Sequence, residues 1–254
     1  MTQSYMSAVA ELAKLAGDFA MTYYGTTMDV DTKTDGSPVT LADRGAEQLA
    51  REWIERRFPA DGILGEEFGD IRPDARIRWI IDPIDGTKSF IRTVPLWGTL
   101  VAVTDGESVL AGCAHFPAVG ETIVAGLGEG CFWNGERCMV SSQTDLRDAT
   151  VLITDDRFPD RPDRASRWRA LASRARVVRT WGDCYGYLLL ATGRADVMID
   201  DVVSPWDSAA IYPIVTEAGG LFSDWRGHST AFGGDVIATN FGLAQQVRDI
   251  LVSN

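Results

Sequence analysis

"WIIDPIDGTKSF", residues 79–90, sets two aspartates three positions apart, directly after a short apolar run. Pro83 fixes its own φ and favours an extended conformation at Asp82. The carboxylates of Asp82 and Asp85, together with the Ile84 carbonyl, can then face one side of a tight turn. Oxygen ligands of this kind suit Mg²⁺, which keeps several waters that a substrate can displace. The alternative is an Asx-type turn in which Asp and Gly only satisfy turn geometry.

The same stretch also offers a place for an anion. Gly86 permits close approach of the backbone, and the amides of Gly86 and Thr87 begin a short predicted helix, "TKSFI". Backbone N–H groups at a helix N-terminus bind anions readily. The stretch therefore sets oxygen ligands for a cation beside amide donors for a phosphate, and a cation between the two aspartates would offset their repulsion.

Composition and charge exclude several classes of protein. The chain has 254 residues, 45% of them hydrophobic, which is enough for one large domain or two smaller ones. Its net charge of −12 argues against general affinity for nucleic acid or anionic membranes. No apolar run approaches the roughly 20 residues that span a bilayer, and the N-terminus lacks a signal-peptide pattern. We therefore expect a cytoplasmic protein with no nucleic-acid or membrane partner.

Histidine and cysteine are poor candidates for the site. His115 and His228 are the only histidines, so there are few candidates for a histidine-built metal cage or a His-centred triad. The four cysteines form no C-x-x-C pair, which argues against a zinc knuckle or a disulfide framework and fits reduced thiols in a cytoplasm.

Helical spacing marks the first part of the chain. Ala8, Leu12, Leu15 and Phe19 recur at the interval of an amphipathic helix, and a second helix is predicted over residues 41–57. "GILGEE" and "IRWII" follow as strands, and a meander from residue 97 to about 140 has "WGTLVAV", "SVLAGCAHF", "ETIVAGL" and "RCMVS" as its strands.

From about residue 150, strands and helices alternate. The predicted strands are "TVLIT", "RVVRT", "ADVMID", "LFSDW" and "DVIAT", and the predicted helices include "YGYLLLATG" and a single helix "WDSAAIYPIVTEAGG". We predict an N-terminal α+β lobe over 1–142 and a C-terminal α/β lobe over 143–254. The basic block at 157–179 is interpreted as a solvated helix face, because the net charge opposes a nucleic-acid patch.

Three further acidic segments accompany the opening motif. Glu66 and Glu67 end a predicted strand, and Asp207 begins a predicted helix in "SPWD". Taken singly, the glutamates could be exposed charges and Asp207 a helix N-cap. Thr40 and Asp43 in "VTLAD" resemble a capping box, and we assign Thr40 mainly to capping.

Together these segments resemble the inositol monophosphatase superfamily of magnesium-dependent, lithium-sensitive phosphatases. The order of the segments also matches, and the resemblance covers nearly the whole chain. It implies a layered α-β-α-β-α sandwich with a mostly antiparallel first sheet and a mixed second sheet. The segments that carry the resemblance are "KTDGSPVTLAD" (33–43), "GEE" (65–67), "WIIDPIDGTKSF" (79–90) and "SPWDSAA" (204–210).

The resemblance implies two to three Mg²⁺ ions per subunit. Glu66, Asp82 and the Ile84 carbonyl would hold the first ion. Asp82, Asp85 and Asp207 would hold the second, with Asp82 bridging the two. Glu66 would also help to hold a third, weaker ion. Most metal ligands would thus lie in the N-terminal lobe, with Asp207 contributed by the other.

The resemblance also assigns residues to the attacking water and to the phosphate. Thr87, hydrogen-bonded to Asp43, would orient and deprotonate the water, with Glu67 in a supporting position. The amides of Gly86 and Thr87 would hold phosphate oxygens. Lys33 matches a family lysine near the site.

Two segments, "WGDCYGYLLLATGRAD" and "DGTKSFIRTVPLWGTL", are more similar to the bacterial histidinol-phosphate phosphatase branch than to the inositol branch. By this resemblance Asp200 would contact the leaving alcohol, and Asp183 lies in the branch-specific segment. Carboxylates there would favour the ammonium and imidazole of histidinol phosphate. Asp183 could equally be a helix N-cap, and Tyr187 could line the pocket or pack in the core.

The predicted function is hydrolysis of L-histidinol phosphate, a small phosphate monoester of histidine biosynthesis, by attack of a metal-activated water. The alternative is an inositol-1-phosphate or related polyol-phosphate phosphatase. A more remote alternative is a non-catalytic module that senses metal or phosphate on the same fold. The family also implies a homodimer.

Overall fold

The computed structural model of the protein describes residues 4–27, 30–32 and 38–252. Two long helices, α1 (Tyr5–Met21) and α2 (Leu41–Arg57), pack against each other and against one face of the first sheet. A two-stranded antiparallel sheet, β1 (Val30–Thr32) and β2 (Pro38–Thr40), leads into α2. Both helices were predicted, although Leu15, which belongs to the predicted stripe of α1, is 37% exposed.

In the part of the chain that the structure describes, the first sheet has eight strands in the order β10-β9-β8-β7-β6-β5-β3-β4, and only β3 and β5 pair in parallel. The strands are β3 (Gly62–Gly65), β4 (Gly69–Ile71), β5 (Ile77–Asp85), β6 (Gly98–Asp105), β7 (Ser108–Phe116), β8 (Glu121–Gly126), β9 (Gly130–Trp133) and β10 (Glu136–Arg137).

The second sheet is mixed, with the order β12-β11-β13-β15-β14. In it β11 pairs in parallel with both neighbours, whereas β15 is antiparallel to β13 and β14. The strands are β11 (Thr150–Ile153), β12 (Val177–Arg179), β13 (Val197–Asp200), β14 (Leu221–Ser223) and β15 (Val236–Thr239). The remaining helices are α3 (Thr87–Phe90), α4 (Pro162–Ala172), α5 (Asp183–Ala191), α6 (Pro205–Ser208), α7 (Ile211–Glu217) and α8 (Ala244–Leu251).

Three apolar clusters define the layers. One joins α1 and α2 to the first sheet, and another joins α4 and α8 to the outer face of the second sheet. The third lies between the sheets and packs α5 and α7 against both of them. The predicted layered α-β-α-β-α sandwich, with a mostly antiparallel and a mixed sheet, is therefore confirmed, whereas the lobe boundary at residue 142 stays a prediction.

Two local predictions were wrong. The fourth strand of the meander is β9, because residues 138–141 leave the sheet, where Met139 is 68% exposed and the Val140 amide donates to the Ala218 carbonyl. The single helix predicted after Trp206 is divided into α6 and α7. Pro213 explains the interruption, since it has no N–H with which to continue the helical ladder.

β5 is longer than predicted and carries both aspartates of the motif. Its pairing with β6 is irregular between Asp82 and Asp85. Pro83 lies at that point and cannot donate to the ladder, while its carbonyl accepts a 2.7 Å hydrogen bond from the Thr99 hydroxyl. Within the described residues, no helix is both long and apolar enough to cross a bilayer.

Candidate metal centre and active site

Three carboxylates meet at the end of β5. Asp82, Asp85 and Asp207 each place one oxygen within 4.8 Å of the others. Asp82 is 2% exposed, and its Oδ1 accepts a 3.0 Å hydrogen bond from the Ile84 amide, which fixes the turn between the two motif aspartates. The sequence motif and a residue more than 100 positions away thus form one cluster.

Asp207 reaches this cluster from α6. The N-cap of α6 is Ser204, whose amide donates a 2.7 Å hydrogen bond to Asp207 Oδ2. Asp207 is therefore not the N-cap considered as its alternative role. It is the acidic partner in a capping box, and the capping bond fixes its carboxylate toward the aspartates of β5.

The electrostatics of the cluster are those of crowded acids. Burial raises the pKa of Asp82 well above its usual range, and the charges of Glu66, Asp85 and Asp207 raise it further. Burial raises the pKa of Asp85, with Asp183 adding to the effect, and raises the pKa of Asp207 to about 6. Glu66 is thus close enough to act on the cluster, as expected for a fourth acidic member.

This donor set fits a hard divalent cation. Buried carboxylates at such separations must either retain protons or share a cation, because like charges repel strongly away from water. The available donors are carboxylate and carbonyl oxygens, which Mg²⁺ and similar ions prefer. Binding of a cation would release the protons that the raised pKa values retain.

Thr87 lies between two acceptors. Its hydroxyl donates a 3.0 Å hydrogen bond to the Ile84 carbonyl and is 3.5 Å from Asp43 Oδ1. Asp43 is fully buried at the start of α2, where its Oδ2 accepts from the Thr40 amide at 2.8 Å and from the Thr40 hydroxyl at 2.6 Å. The capping box is therefore present, and it leaves Asp43 Oδ1 directed at Thr87.

Gly86 adopts a left-handed conformation, with φ of 84°, immediately before α3. A Cβ at this position would lie 3.1 Å from the Leu96 carbonyl and 3.2 Å from Asp183 Oδ2. Glycine is needed both for the backbone angle and for the space. The amides at this N-terminus have no intrahelical acceptor, so they can serve phosphate oxygens as expected.

A cavity of about 310 Å³ opens beside the cluster, and its wall includes Asp85, Lys88, Asp183, Asp200 and Asp207. Most of its charged side chains are acidic. The cavity lies between the motif of the first sheet and the end of β13 in the second sheet. It is large enough to hold a small alcohol next to the carboxylate cluster.

Asp183 belongs to the cavity and does not cap α5, whose N-cap is Gly182. Its φ of 50° is unusual for a residue other than glycine. The Thr154 hydroxyl accepts from its amide at 2.8 Å, and the next amide, that of Cys184, donates to Asp85. The N-terminus of α5 therefore connects the cavity with the carboxylate cluster.

Asp200 ends β13 on the cavity wall and is 6% exposed. It accepts a 2.6 Å hydrogen bond from the Tyr187 hydroxyl and a 3.3 Å hydrogen bond from the Thr154 amide. Burial raises the pKa of Asp200 to about 7. Tyr187 is 4% exposed and combines the two roles considered for it, since it packs in the core and lines the cavity.

The neighbouring Asp201 is neutralised by the basic block. Arg161 and Arg164 donate to its carboxylate at 3.0 and 2.7 Å, and Arg164 also pairs with Asp235 at 2.8 Å. Part of the block interpreted as a solvated helix face is therefore in contact with the wall of the cavity. Lys33 lies outside the described residues.

Sequence reasoning missed Glu47. This residue of α2 is fully buried, and its carboxylate accepts from the Glu67 amide at 2.7 Å and from Arg51 at 2.7 Å. The signal was present, since Glu47 and Arg51 are spaced four apart on the same helix face as the buried Ala46 and Ala50. A charged pair on the apolar face of a helix indicates that the two side chains have specific partners inside the protein.

Comparisons with known proteins agree with this geometry. The model of the "Inositol monophosphatase family" matches residues 1–254. A histidinol-phosphatase of Chlorobaculum parvum is 44% identical over 93% of this chain and 92% of its own length, and one of Mycobacterium tuberculosis is 35% identical over 97% of each. The solved structure of an inositol monophosphatase from Zymomonas mobilis superposes with a TM-score of 0.87, at 32% identity and 97% coverage of both chains.

Proposed function

The chain belongs to the inositol monophosphatase family, and on that premise we propose that it is a magnesium-dependent phosphomonoesterase that hydrolyses L-histidinol phosphate in histidine biosynthesis. The class of reaction follows from its relatives: the chain is a phosphoric monoester hydrolase. The choice of ester is supported by the relatives named histidinol-phosphatase and by the chemistry of the cavity.

The acidic cavity is the observation that carries the proposal. Histidinol phosphate places an ammonium and an imidazole on the leaving alcohol. Asp183 and Asp200 lie on the cavity wall beside the carboxylate cluster, where partial burial strengthens attraction to a cation. A neutral polyol would leave these carboxylates with poorer partners.

Glu66, Asp82, Asp85, Asp207 and the Ile84 carbonyl are the groups that would hold magnesium. When bound there, magnesium would neutralise phosphoryl charge and lower the pKa of a coordinated water. The amides of Gly86 and Thr87 would hold the phosphate at the same place, and Lys33 stays a predicted neighbour. Phosphoryl transfer depends mainly on such positioning and charge neutralisation.

Thr87 and Asp43 would receive the proton of the attacking water. The Thr87 hydroxyl would rotate from the Ile84 carbonyl to donate its proton to Asp43 Oδ1, 3.5 Å away, so that the Thr87 oxygen could accept from a water. Burial raises the pKa of Asp43, which makes it a better proton acceptor than an exposed aspartate. Glu67 would support this arrangement from the adjoining turn.

Steady-state hydrolysis in saturating magnesium tests the choice of ester. We expect kcat/KM for L-histidinol phosphate to exceed that for inositol-1-phosphate. The likeness to the Zymomonas mobilis inositol monophosphatase favours a second candidate, a polyol phosphate. A preference of about a hundredfold for the inositol ester would reject the histidinol assignment, because specificity is the ratio of the two kcat/KM values.

Two further properties are proposed from the family resemblance. The chain would form a homodimer, which light scattering of the purified protein would test. Lithium at high millimolar concentration would inhibit hydrolysis, and unchanged activity would place the chain outside the lithium-sensitive group.

A further inference from the structure

One face of α2 serves the active site over two helical turns. Asp43, Glu47 and Arg51 follow each other at intervals of four residues, so their side chains lie along the same face. Asp43 faces Thr87, whereas Glu47 and Arg51 face the turn between β3 and β4. That turn contains Glu66 and Glu67.

The Glu47 carboxylate is surrounded by donors. Its Oε2 accepts from the Glu67 amide at 2.7 Å, and its Oε1 accepts from the Phe68 amide at 3.2 Å. Arg51 Nε donates to Oε1 at 2.7 Å, and both members of this ion pair are nearly inaccessible to solvent. Two of these three hydrogen bonds therefore fix a buried carboxylate against the backbone directly after Glu66.

Arg51 holds the other end of the same turn. Its Nη2 donates to the Gly69 carbonyl, and its guanidinium lies 5.8 Å from the centre of the Phe68 ring. The pair thus contacts the backbone of three consecutive residues after Glu66. A buried ion pair that also bonds to the backbone restricts the turn much more than an exposed pair would.

Gly65 shows how closely Glu47 is packed beneath this turn. A Cβ on Gly65 would lie 2.0 Å from Glu47 Oε1, and the φ of this glycine does not itself require the residue to be glycine. The space that would hold a side chain just before Glu66 is therefore taken by the Glu47 carboxylate.

We propose that Glu47 is a positioning residue that holds the Glu66 carboxylate at the metal cluster before a cation binds. This inference rests on the proposed function. Glu47 acts through the amides of the turn and does not contact the cation or the substrate. Groups that orient a metal ligand from behind typically contribute about 10- to 100-fold to metal affinity.

Titration of the full-length protein with Mn²⁺, followed by the electron paramagnetic resonance signal of free Mn²⁺, tests this role. In Glu47→Gln, the side-chain NH₂ faces either Arg51 or a backbone N–H, so at least one donor loses its acceptor. We expect the Mn²⁺ site that depends on Glu66 to weaken about 10- to 100-fold. The site that depends on Asp85 and Asp207 should change less than threefold, and so should KM for the phosphate ester.

Two further variants separate positioning from folding. Glu47→Asp keeps the counter-ion of Arg51 but shortens the reach to the turn, so it should fold and show an intermediate loss of Mn²⁺ affinity. If circular dichroism shows that Glu47→Gln is unfolded, Glu47→Asp is the variant that tests the positioning role. Glu52→Gln changes an exposed glutamate of the same helix and should bind Mn²⁺ as the wild type does.

The outcomes distinguish the inference from the proposed function. Wild-type protein that binds no Mn²⁺ overturns both. Folded Glu47 variants with wild-type affinity at every Mn²⁺ site overturn the positioning role alone. Equal weakening of all sites also overturns it, because a general loss of structure would produce that pattern.

Discussion

The carboxylate cluster and the acidic cavity share Asp85 and Asp207, yet the chain assembles them in different ways. The cluster starts from two aspartates in one strand, oriented by Pro83 and by the bond from the Ile84 amide. The rest of the cavity wall comes from several separate segments, including the residues that follow β11, the start of α5 and the end of β13, which meet the motif only after folding. The cluster therefore begins with a local motif and is completed by Asp207 from a distant segment, whereas the cavity wall that would select the ester is built mainly by long-range packing.

The two regions also differ in how their negative charge is compensated. The cluster joins several acids whose charges raise one another's pKa values, which favours a divalent cation. In the cavity wall, Asp201 is already paired with Arg161 and Arg164, while Asp200 is held by neutral donors. The first region is suited to a small ion of high charge, and the second to a larger organic cation of low charge.

Asp85→Asn should have the largest effect, because Asp85 belongs to both regions. The variant keeps an oxygen for the Cys184 amide but loses the charge needed by a cation. We expect kcat to fall at least about a thousandfold, since a metal ion contributes several kcal/mol of charge stabilisation. Phosphate release at saturating magnesium measures the effect. Asp163→Asn, on the exposed surface of α4, should retain full activity. A near wild-type rate for Asp85→Asn would show that the cluster is not the reaction centre.

Asp183→Asn should distinguish the contribution of the cavity to activity from that of the cluster. Loss of a partly buried charge partner costs about 2 kcal/mol, which corresponds to about a thirtyfold decrease in kcat/KM for histidinol phosphate. Hydrolysis of the neutral-alcohol ester inositol-1-phosphate should change much less, so the ratio of the two kcat/KM values is the measurement. An equal loss with both esters would mean that Asp183 acts on the cluster and not on the leaving alcohol.

Asp200 makes the free energy of unfolding of the protein dependent on pH. Its pKa of about 7 lies above that of an unfolded aspartate, so between about pH 4 and 7 the folded protein holds a proton that the unfolded chain releases. The free energy of unfolding should therefore fall as pH rises through this window.

Asp200→Asn removes this dependence without changing the cluster. In chelator-treated protein, urea unfolding should show that wild type loses up to about 1.4 kcal/mol more per pH unit than the variant. The cluster carboxylates are common to both proteins, so the difference between the slopes isolates Asp200. Identical slopes would show that Asp200 titrates normally in the folded state.

The contrast between local and long-range assembly also explains which site residues could be predicted from the sequence. Asp82 and Asp85 were recognisable because proline, glycine and a preceding apolar strand act within a few residues of them. Asp207 could also be interpreted as a helix N-cap, because no residue near it in sequence shows that α6 faces β5. Glu47 was missed because its role depends on a turn 20 residues away in sequence. Asp183 was ambiguous, because only its left-handed backbone and the glycine before it exclude a capping role.

Short apolar segments likewise limited how accurately the fold could be predicted from the sequence. The strand β9 has four residues and is specified by its pairing with β8, whereas the equally apolar "CMVS" lies outside the sheet. Long periodic helices such as α1 and α2 were predictable from their spacing alone. The five short strands of the second sheet were also predicted, although their partners lie far away in sequence. The local pattern failed for the fourth strand of the meander and for the interruption between α6 and α7.

Arg161→Gln should give the smallest effect, in the direction opposite to Asp183→Asn. Arg161 is 40% exposed and shares Asp201 with Arg164, so its removal leaves the wall folded but more negative. Exposed ion pairs contribute up to about 1 kcal/mol, so we expect KM for histidinol phosphate to fall about two- to fivefold. KM for inositol-1-phosphate should stay unchanged, and Arg169→Gln, in the last turn of α4, provides the matched control. An increase in KM for histidinol phosphate would mean that Arg161 binds the substrate itself, and the cavity would then be selective for an anionic alcohol.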